Sequence, residues 1–356
     1  MQAMIGGAAG RVPVVSVLMT TWNGAGFIAA SITSVLAQTF GDFELIVVDD
    51  ASTDGTAAVL AGIGDPRMRV VRRAVNGGVV AARNDGFALA RGRYVAMLDH
   101  DDLSLPERLA KQVTYLDAHP DVVLVATEIV LERAGRRGAP DHTRGGDPLL
   151  MRWLLHVDNP LTWSSVMLRA EAVRRLGAFV RPERELADDF DLYHRLLLVG
   201  EIARLDEVLT VYRWHAANTT HGREAALNAA AVKVLAEAYG ALLGTEAERA
   251  AELVIRHLSD RQPVRDATTL ARLGGYLARL LAEFSITHAF LPEQRARLLE
   301  ITGMIWWRIA RAAIRSGKPG LVRIYRQQPL LATAFRPRRT DIGLSLLVGL
   351  ARGAHC

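Results

Sequence analysis

The chain has 356 residues, half of them hydrophobic and 23% charged, with a net charge of +5. That length suits two domains with a sizeable core, and the basic excess suits anionic partners: phosphorylated substrates, an acidic membrane surface or nucleic acid. The single cysteine, Cys356, excludes an intramolecular disulfide and fits a reducing cytosol; residues 1 to 10 carry no signal peptide, and no stretch approaches the roughly 20 apolar residues of a spanning helix.

Residues 12 to 127 alternate between strand-like and helix-like segments. Apolar, β-branched runs predict strands over 14–19, 43–48, 68–71, 94–98 and 122–127. Helical spacing predicts helices over 25–38, 53–63, 78–90 and 106–119. Such alternation implies βαβ units and a mainly parallel sheet, with ligands placed where strands end. Residues 132–147, rich in Gly, Arg and Asp, read as a loop. A strand over 164–168, helices over 170–176 and 189–199, and a closing strand over 208–214 follow. Beyond His221 the composition turns to Ala, Leu, Glu and Arg at helical spacing. The expected organisation is a flexible N-terminus (1–11), an α/β domain (12–221) and a helical C-terminal region (222–356).

Polar residues gather at the strand ends. The fourth strand runs directly into Asp99, Asp101 and Asp102. Carboxylates packed together repel one another and cost desolvation energy, which a cation would offset. Oxygen-only ligands suit a hard divalent ion such as Mg²⁺ or Mn²⁺, while a solvated acidic turn capping the next helix is the plainer alternative. The first strand ends in TTWNGAG, the second in VVDDASTDGT, and the third is followed by NGGVVAARNDG. LADDFDLYHRLLLVG and VYRWHAANTTH come later. Trp22 offers a flat face to a nucleobase, against a competing role in core packing. Asp50 can accept from a base N–H or a ribose hydroxyl, and Asp54 reads as a helix cap. Asn76, Gly77 and Gly78 form a turn that allows close backbone approach.

This order of motifs resembles the family 2 inverting glycosyltransferases, over roughly residues 12–221. The resemblance implies a GT-A fold, a Rossmann-like nucleotide-sugar-binding sheet flanked by helices, here followed by a C-terminal helical region. It implies Thr20, Trp22 and Asp50 in the nucleoside pocket. Arg83 would face phosphate, with a surface salt bridge as the alternative, and Arg213 would contact the diphosphate. Asp101 would be a direct metal ligand; Asp99 would bind ribose, or the metal through water. His215 would be a further metal contact. Asp189 matches the general base, although the family's Glu–Asp pair is here Asp188–Asp189; carboxylates at 188, 189 and 191 would raise one another's pKa. Trp163, Ser164 and Ser165 match a segment facing the acceptor, and His100 takes no role. The implied donor is a UDP- or dTDP-sugar and the acceptor a glycan or lipid-linked glycan.

Residues 301–356 combine arginines with Trp306 and Trp307, a pattern that suits peripheral contact with the inner face of an anionic membrane, a partner or a homo-oligomer. The stretch 342–350 is too short to span. No nucleic-acid-binding module is visible. Missing Lys or Arg in the first strand's loop disfavours a nucleotidyltransferase, and the intact acids disfavour a catalytically silent binder. No G-x-G-x-x-G follows the first strand, which disfavours a dehydrogenase.

Overall fold

The computed structural model describes residues 2–3, 11–139, 146–216, 218 and 222–353. The expectations placed on Cys356, on the boundary at His221 and on most of the first ten residues lie outside them. Two compact units emerge: residues 1–152 with 160–224, and residues 153–159 with 225–356.

In the first unit the strands are β1 (Gln2–Ala3), β2 (Val15–Thr21), β3 (Phe43–Asp49), β4 (Met68–Arg72), β5 (Tyr94–Met97), β6 (Leu103–Ser104), β7 (Val122–Arg133), β8 (Arg136–Arg137), β9 (Met167–Arg169) and β10 (Glu201–Trp214). The helices are α1 (Ile28–Leu36), α2 (Thr56–Ala61), α3 (Val79–Leu89), α4 (Arg108–Ala118), α5 (Pro148–Leu155, whose last three residues fall in the second unit), α6 (Ala170–Arg175) and α7 (Asp188–Leu196). All strands join one sheet in the order β1-β4-β3-β2-β5-β9-β7-β10-β6, with β8 on β7. The run β4-β3-β2-β5 is wholly parallel. Beyond it β9 is antiparallel to both its neighbours, and β7 and β10 pair in parallel. The fold is thus mixed α/β with the expected parallel half.

Every residue of β2 and β3 is buried, as expected for central strands covered on both faces. Ile28, Ile32 and Val35 of α1 and Leu109, Val113 and Leu116 of α4 join Val17, Leu45 and Ala96 in one core. Helix α3 approaches the sheet so closely that a Cβ on Gly86 would lie 2.1 Å from Leu18 Cδ1. Gly78 opens α3 at φ +85°, a backbone state that glycine adopts without strain.

Three segments differ from expectation. β7 runs on to Arg133 and pairs with β8 where a loop was expected. β10 begins at Glu201, because its parallel register with β7 holds a charged stretch extended. The expected strand over 164–168 is a 3₁₀ turn (Trp163–Ser165) followed by β9.

The second unit is helical: α8 (Glu224–Leu243), α9 (Ala247–Val254) continuing into a π turn (Ile255–Ser259), α10 (Ala267–Thr287), α11 (Pro292–Arg315), α12 (Val322–Arg326), α13 (Pro329–Ala334) and α14 (Arg339–Gly353). Trp306 and Trp307 are buried in its core, and Trp306 Nε1 donates to the Tyr325 carbonyl at 3.2 Å. The expectation that these tryptophans face a membrane is therefore corrected. Contrary to expectation, Glu224–Ser259 is long and apolar enough to cross a membrane by length and composition, since its many alanines count as apolar.

Candidate active site

The C-terminal ends of β2, β3, β5 and β10 and the start of α7 carry the residues singled out above. At the end of β2, Thr20 is buried and Trp22 stands 54% exposed, so its face is open rather than packed in the core. The backbone here is strained: Asn23 (φ 52°) and Ala51 (φ 58°), directly after Trp22 and Asp50, sit in the left-handed region. That conformation costs a non-glycine residue roughly 1–2 kcal/mol. The Asn23 amide donates to Ser52 Oγ (2.9 Å) and its side-chain oxygen accepts from the Thr53 amide (2.8 Å), locking the two strand-end loops together. Asp54 accepts from the Thr56 amide (3.0 Å) just ahead of α2, close to its expected capping role.

Asp50 is buried and multiply bonded. Its Oδ1 pairs with Arg73 Nη1 at 2.5 Å and accepts from the Gly77 amide at 3.0 Å; its Oδ2 accepts from the Gly78 amide at 2.8 Å. A carboxylate offers about four acceptor positions, and the Gly77 amide is shared with Oδ2 at 3.3 Å, so at most about one remains for a ligand. Arg73 was not singled out in the sequence. The hydrogen bond it donates to Asp50 raises its pKa, so it is a fixed positive charge at this spot. Its signal was a basic residue just past β4, beside the acidic end of the adjacent parallel strand.

Asp99, Asp101 and Asp102 follow β5, and one oxygen from each lies within 4.8 Å of the others. Asp101 Oδ2 lies 3.1 Å from His215 Nε2 and 3.4 Å from Asn218 Nδ2. The His215 ring stacks on Phe27 at 4.1 Å, which fixes its plane. Asp102 is fully buried and accepts from the Arg213 amide at 2.9 Å, while its Oδ2 has no hydrogen-bond partner among the described residues. Burial first, then the Asp101 and Asp99 charges, push the Asp102 pKa well above its ordinary value. Burial also raises Asp99; Arg83 opposes that and Asp101 adds to it. Three crowded carboxylates with an orphaned buried oxygen, and no soft ligand among them, fit a hard divalent cation.

Arg213 supports this loop from below. Its Nε donates to the Asp101 carbonyl and its Nη2 to Ser31 Oγ at 2.8 Å. Burial lowers its pKa, against the pull of Asp102 and Asp101. Ser164 Oγ accepts from the Asp99 amide at 3.0 Å. Trp163, Ser164 and Ser165 are all buried, so this segment braces the acidic loop where an acceptor-facing surface was expected. His100 also braces: a Cβ on Gly24 would lie 2.4 Å from its Cδ2.

Helix α7 begins with Asp188 and Asp189 after Leu186, a third left-handed residue (φ 76°). Asp188 is buried against Arg83, Oδ2 to Nη1 at 2.5 Å. Arg83 Nη2 lies 3.5 Å from Asp99 Oδ1, and its guanidinium sits 4.0 Å over the Trp163 ring. Burial disfavours the Arg83 charge, yet Asp188 and Asp99 more than offset this and its pKa rises. The pair is thus buried, in place of the surface salt bridge considered from sequence, and it ties the start of α7 to the acidic loop. Asp189 is half-buried and accepts from the Phe190 amide at 2.6 Å. Asp191 is held by Arg181, Arg184 (3.6 Å) and Arg195 (2.8 Å). Asp188 and Asp191 are thus each paired with arginine. The Tyr193 hydroxyl is buried without a hydrogen-bond partner among the described residues. Burial, Asp189, Asp188 and Asp99 all raise its pKa while Arg83 opposes them, so one phenol feels acids from both segments.

The glycosyl transferase family 2 model matches residues 16–177. EpsE of Bacillus subtilis (strain 168), provisionally named a glycosyltransferase, is 36% identical over 194 residues, covering 53% of this chain and 68% of EpsE. The succinoglycan biosynthesis protein ExoO of Rhizobium meliloti (strain 1021) is 40% identical over 126 residues, covering 35% of this chain and 36% of ExoO. Among solved structures, S. aureus TarS 1–349 in complex with UDP-GlcNAc shares the fold, with a TM-score of 0.53 at 18% identity over 96% of this chain and 91% of that one.

Proposed function

This chain belongs to glycosyl transferase family 2, and we propose that it is a metal-dependent, inverting enzyme moving a sugar from a nucleoside-diphosphate sugar, UDP- or dTDP-linked, to a hydroxyl of a surface glycan or lipid-linked glycan. The supporting observation is the arrangement of acids: Asp99, Asp101 and Asp102 share one cluster, and Arg83 links Asp99 to the Asp188–Asp189 end of α7. TarS was crystallised with UDP-GlcNAc and ExoO is named for succinoglycan biosynthesis, which supports the donor and acceptor classes.

In this reading Trp22 stacks on the base and Thr20 borders the nucleoside. Asp50, anchored by Arg73 and the Gly77–Gly78 turn, uses its remaining acceptor position for a base or ribose donor. Asp101, Asp99 and His215 would hold Mg²⁺ or Mn²⁺, which supplies Lewis-acid charge at the leaving diphosphate. Arg213 orients the Asp101 loop through its hydrogen bond to the loop carbonyl; it and Arg83 add positive charge near the diphosphate. Asp189 removes the proton from the acceptor hydroxyl as that oxygen bonds to the anomeric carbon, and the bond from that carbon to the diphosphate oxygen breaks on the opposite face. The acceptor class agrees with work at the cytoplasmic face of a membrane.

Donor turnover across UDP-, dTDP- and GDP-sugars with Mn²⁺ tests this. Release of nucleoside diphosphate is expected; release of sugar 1-phosphate would instead indicate nucleotidyl transfer. Asp189→Asn should lose roughly 10²–10⁴-fold in transfer, the usual worth of a general base, while donor affinity holds. Turnover within a few-fold of wild type would remove Asp189 from the role.

A further inference from the structure

Helix α14 is built inside out. Its inward face carries Ser345 and Gly349, both buried: Ser345 Oγ accepts from Arg315 Nε at 3.1 Å, and a Cβ on Gly349 would lie 2.3 Å from the Ile314 carbonyl. Its outward face carries Leu344, Leu347 and Leu350, exposed by 55%, 66% and 59%. At 100° per residue these three and Ala351 fall in one sector of about 120°, with Arg339 about 20° outside one edge; Arg352 lies about 80° beyond the other edge, where it donates to the Arg315 carbonyl at 3.4 Å. The small inner residues let α14 pack closely on α11, Ile342, Leu346 and Val348 are half-buried, and the three leucines named above point out into water.

The charge pattern adds a second, independent observation. Arg336, Arg338 and Arg339 are exposed at the start of α14, and none forms an ion pair among the described residues. A helix N-terminus carries partial positive charge, so three arginines there oppose the helix dipole. Asp341 in the first turn favours that dipole, while the three arginines gain nothing from it and would gain from an external anionic surface.

We propose that α14 is an in-plane anchor for an anionic lipid bilayer. Leu344, Leu347 and Leu350 enter the acyl boundary, and Arg336, Arg338 and Arg339 meet the headgroups. The proposal deepens the membrane-side location given under Proposed function, and moves the contact from the buried tryptophans of α11 to α14. Charge complementarity points to the bilayer: three arginines without an ion pair among the described residues stand beside the apolar face and match anionic headgroups, and the test below separates this from a second copy of the chain.

The test is co-sedimentation of the full chain with vesicles of phosphatidylglycerol and phosphatidylethanolamine, against phosphatidylcholine alone. Wild type should bind the anionic vesicles, weaken with added salt, and bind phosphatidylcholine at least about tenfold less. The triple variants Leu344→Ser/Leu347→Ser/Leu350→Ser and Arg336→Gln/Arg338→Gln/Arg339→Gln should each lose at least about tenfold in vesicle binding. Both should keep wild-type soluble donor hydrolysis, which reports that they fold. Equal binding by wild type and both folded variants, or no wild-type binding, overturns the proposal. So does a dimer in analytical ultracentrifugation that the leucine variant abolishes without any vesicle binding. Vesicle binding without donor turnover would instead fail the enzymatic reading and leave the anchor standing.

Discussion

Arg83 has the most demanding position in the molecule. It is buried, stacked on Trp163, and shared between Asp188 and Asp99. Removing one partner of a buried pair leaves a bare charge in low dielectric, which typically costs 3–5 kcal/mol. Arg83→Met should therefore lower unfolding stability in urea by about that amount, through the stranded Asp188 carboxylate; a loss below about 1 kcal/mol would contradict the coupling. Asp102 makes a different statement. Its folded pKa is raised, so between the ordinary value of 3.8 and the raised one the folded chain keeps a proton that the unfolded chain has lost. Stability of the metal-free protein should then fall as pH rises through that window and level off above it. Thermal unfolding in a chelator from pH 4 to 8 should show a shallower fall for Asp102→Asn than for wild type; equal slopes would exclude the buried acid as the source.

At the scale of elements, α3 shows two opposing effects of known size. Gly86→Ala gains up to about 1 kcal/mol of helix propensity. The new Cβ would also press on Leu18 Cδ1 at 2.1 Å and Val48 Cγ2 at 3.1 Å, and overpacking costs about 1–3 kcal/mol. Packing should win, giving a net loss near 1 kcal/mol by chemical denaturation; a stabilised variant would mean that α3 can lift off the sheet. The parallel half was legible because strands buried on both faces carry short apolar runs, as in residues 17–19 and 45–48 of β2 and β3. The first half of β10 was not, since Glu201, Arg204, Asp206 and Glu207 hide a strand whose extension depends on its register with β7. The acids at the strand ends were legible by type and position. Their partners were not, because Arg83 meets Asp188 across 105 residues and local pattern carries no such information. The burial of Trp163 and Ser164 was not legible for the same reason, since what covers a segment comes from distant parts of the chain.

Across the whole molecule, the strained residues Asn23, Ala51 and Leu186 stand next to the segments that carry Trp22, Asp50 and Asp188. Strain of this kind persists where surrounding bonds over-determine the backbone, as the Asn23 bonds to Ser52 and Thr53 do here; the other two non-glycine residues of this kind among those described, Ala134 and Arg261, lie away from these segments. The account rests on those segments forming one centre that binds an ion and a nucleotide sugar together. Calorimetric titration of Mn²⁺ in the presence of UDP, into wild type, Asp101→Ala and Asp189→Asn, tests that most directly. One ion per chain should bind to wild type and to Asp189→Asn alike, and the heat should vanish for Asp101→Ala. An unchanged isotherm for Asp101→Ala would contradict the account.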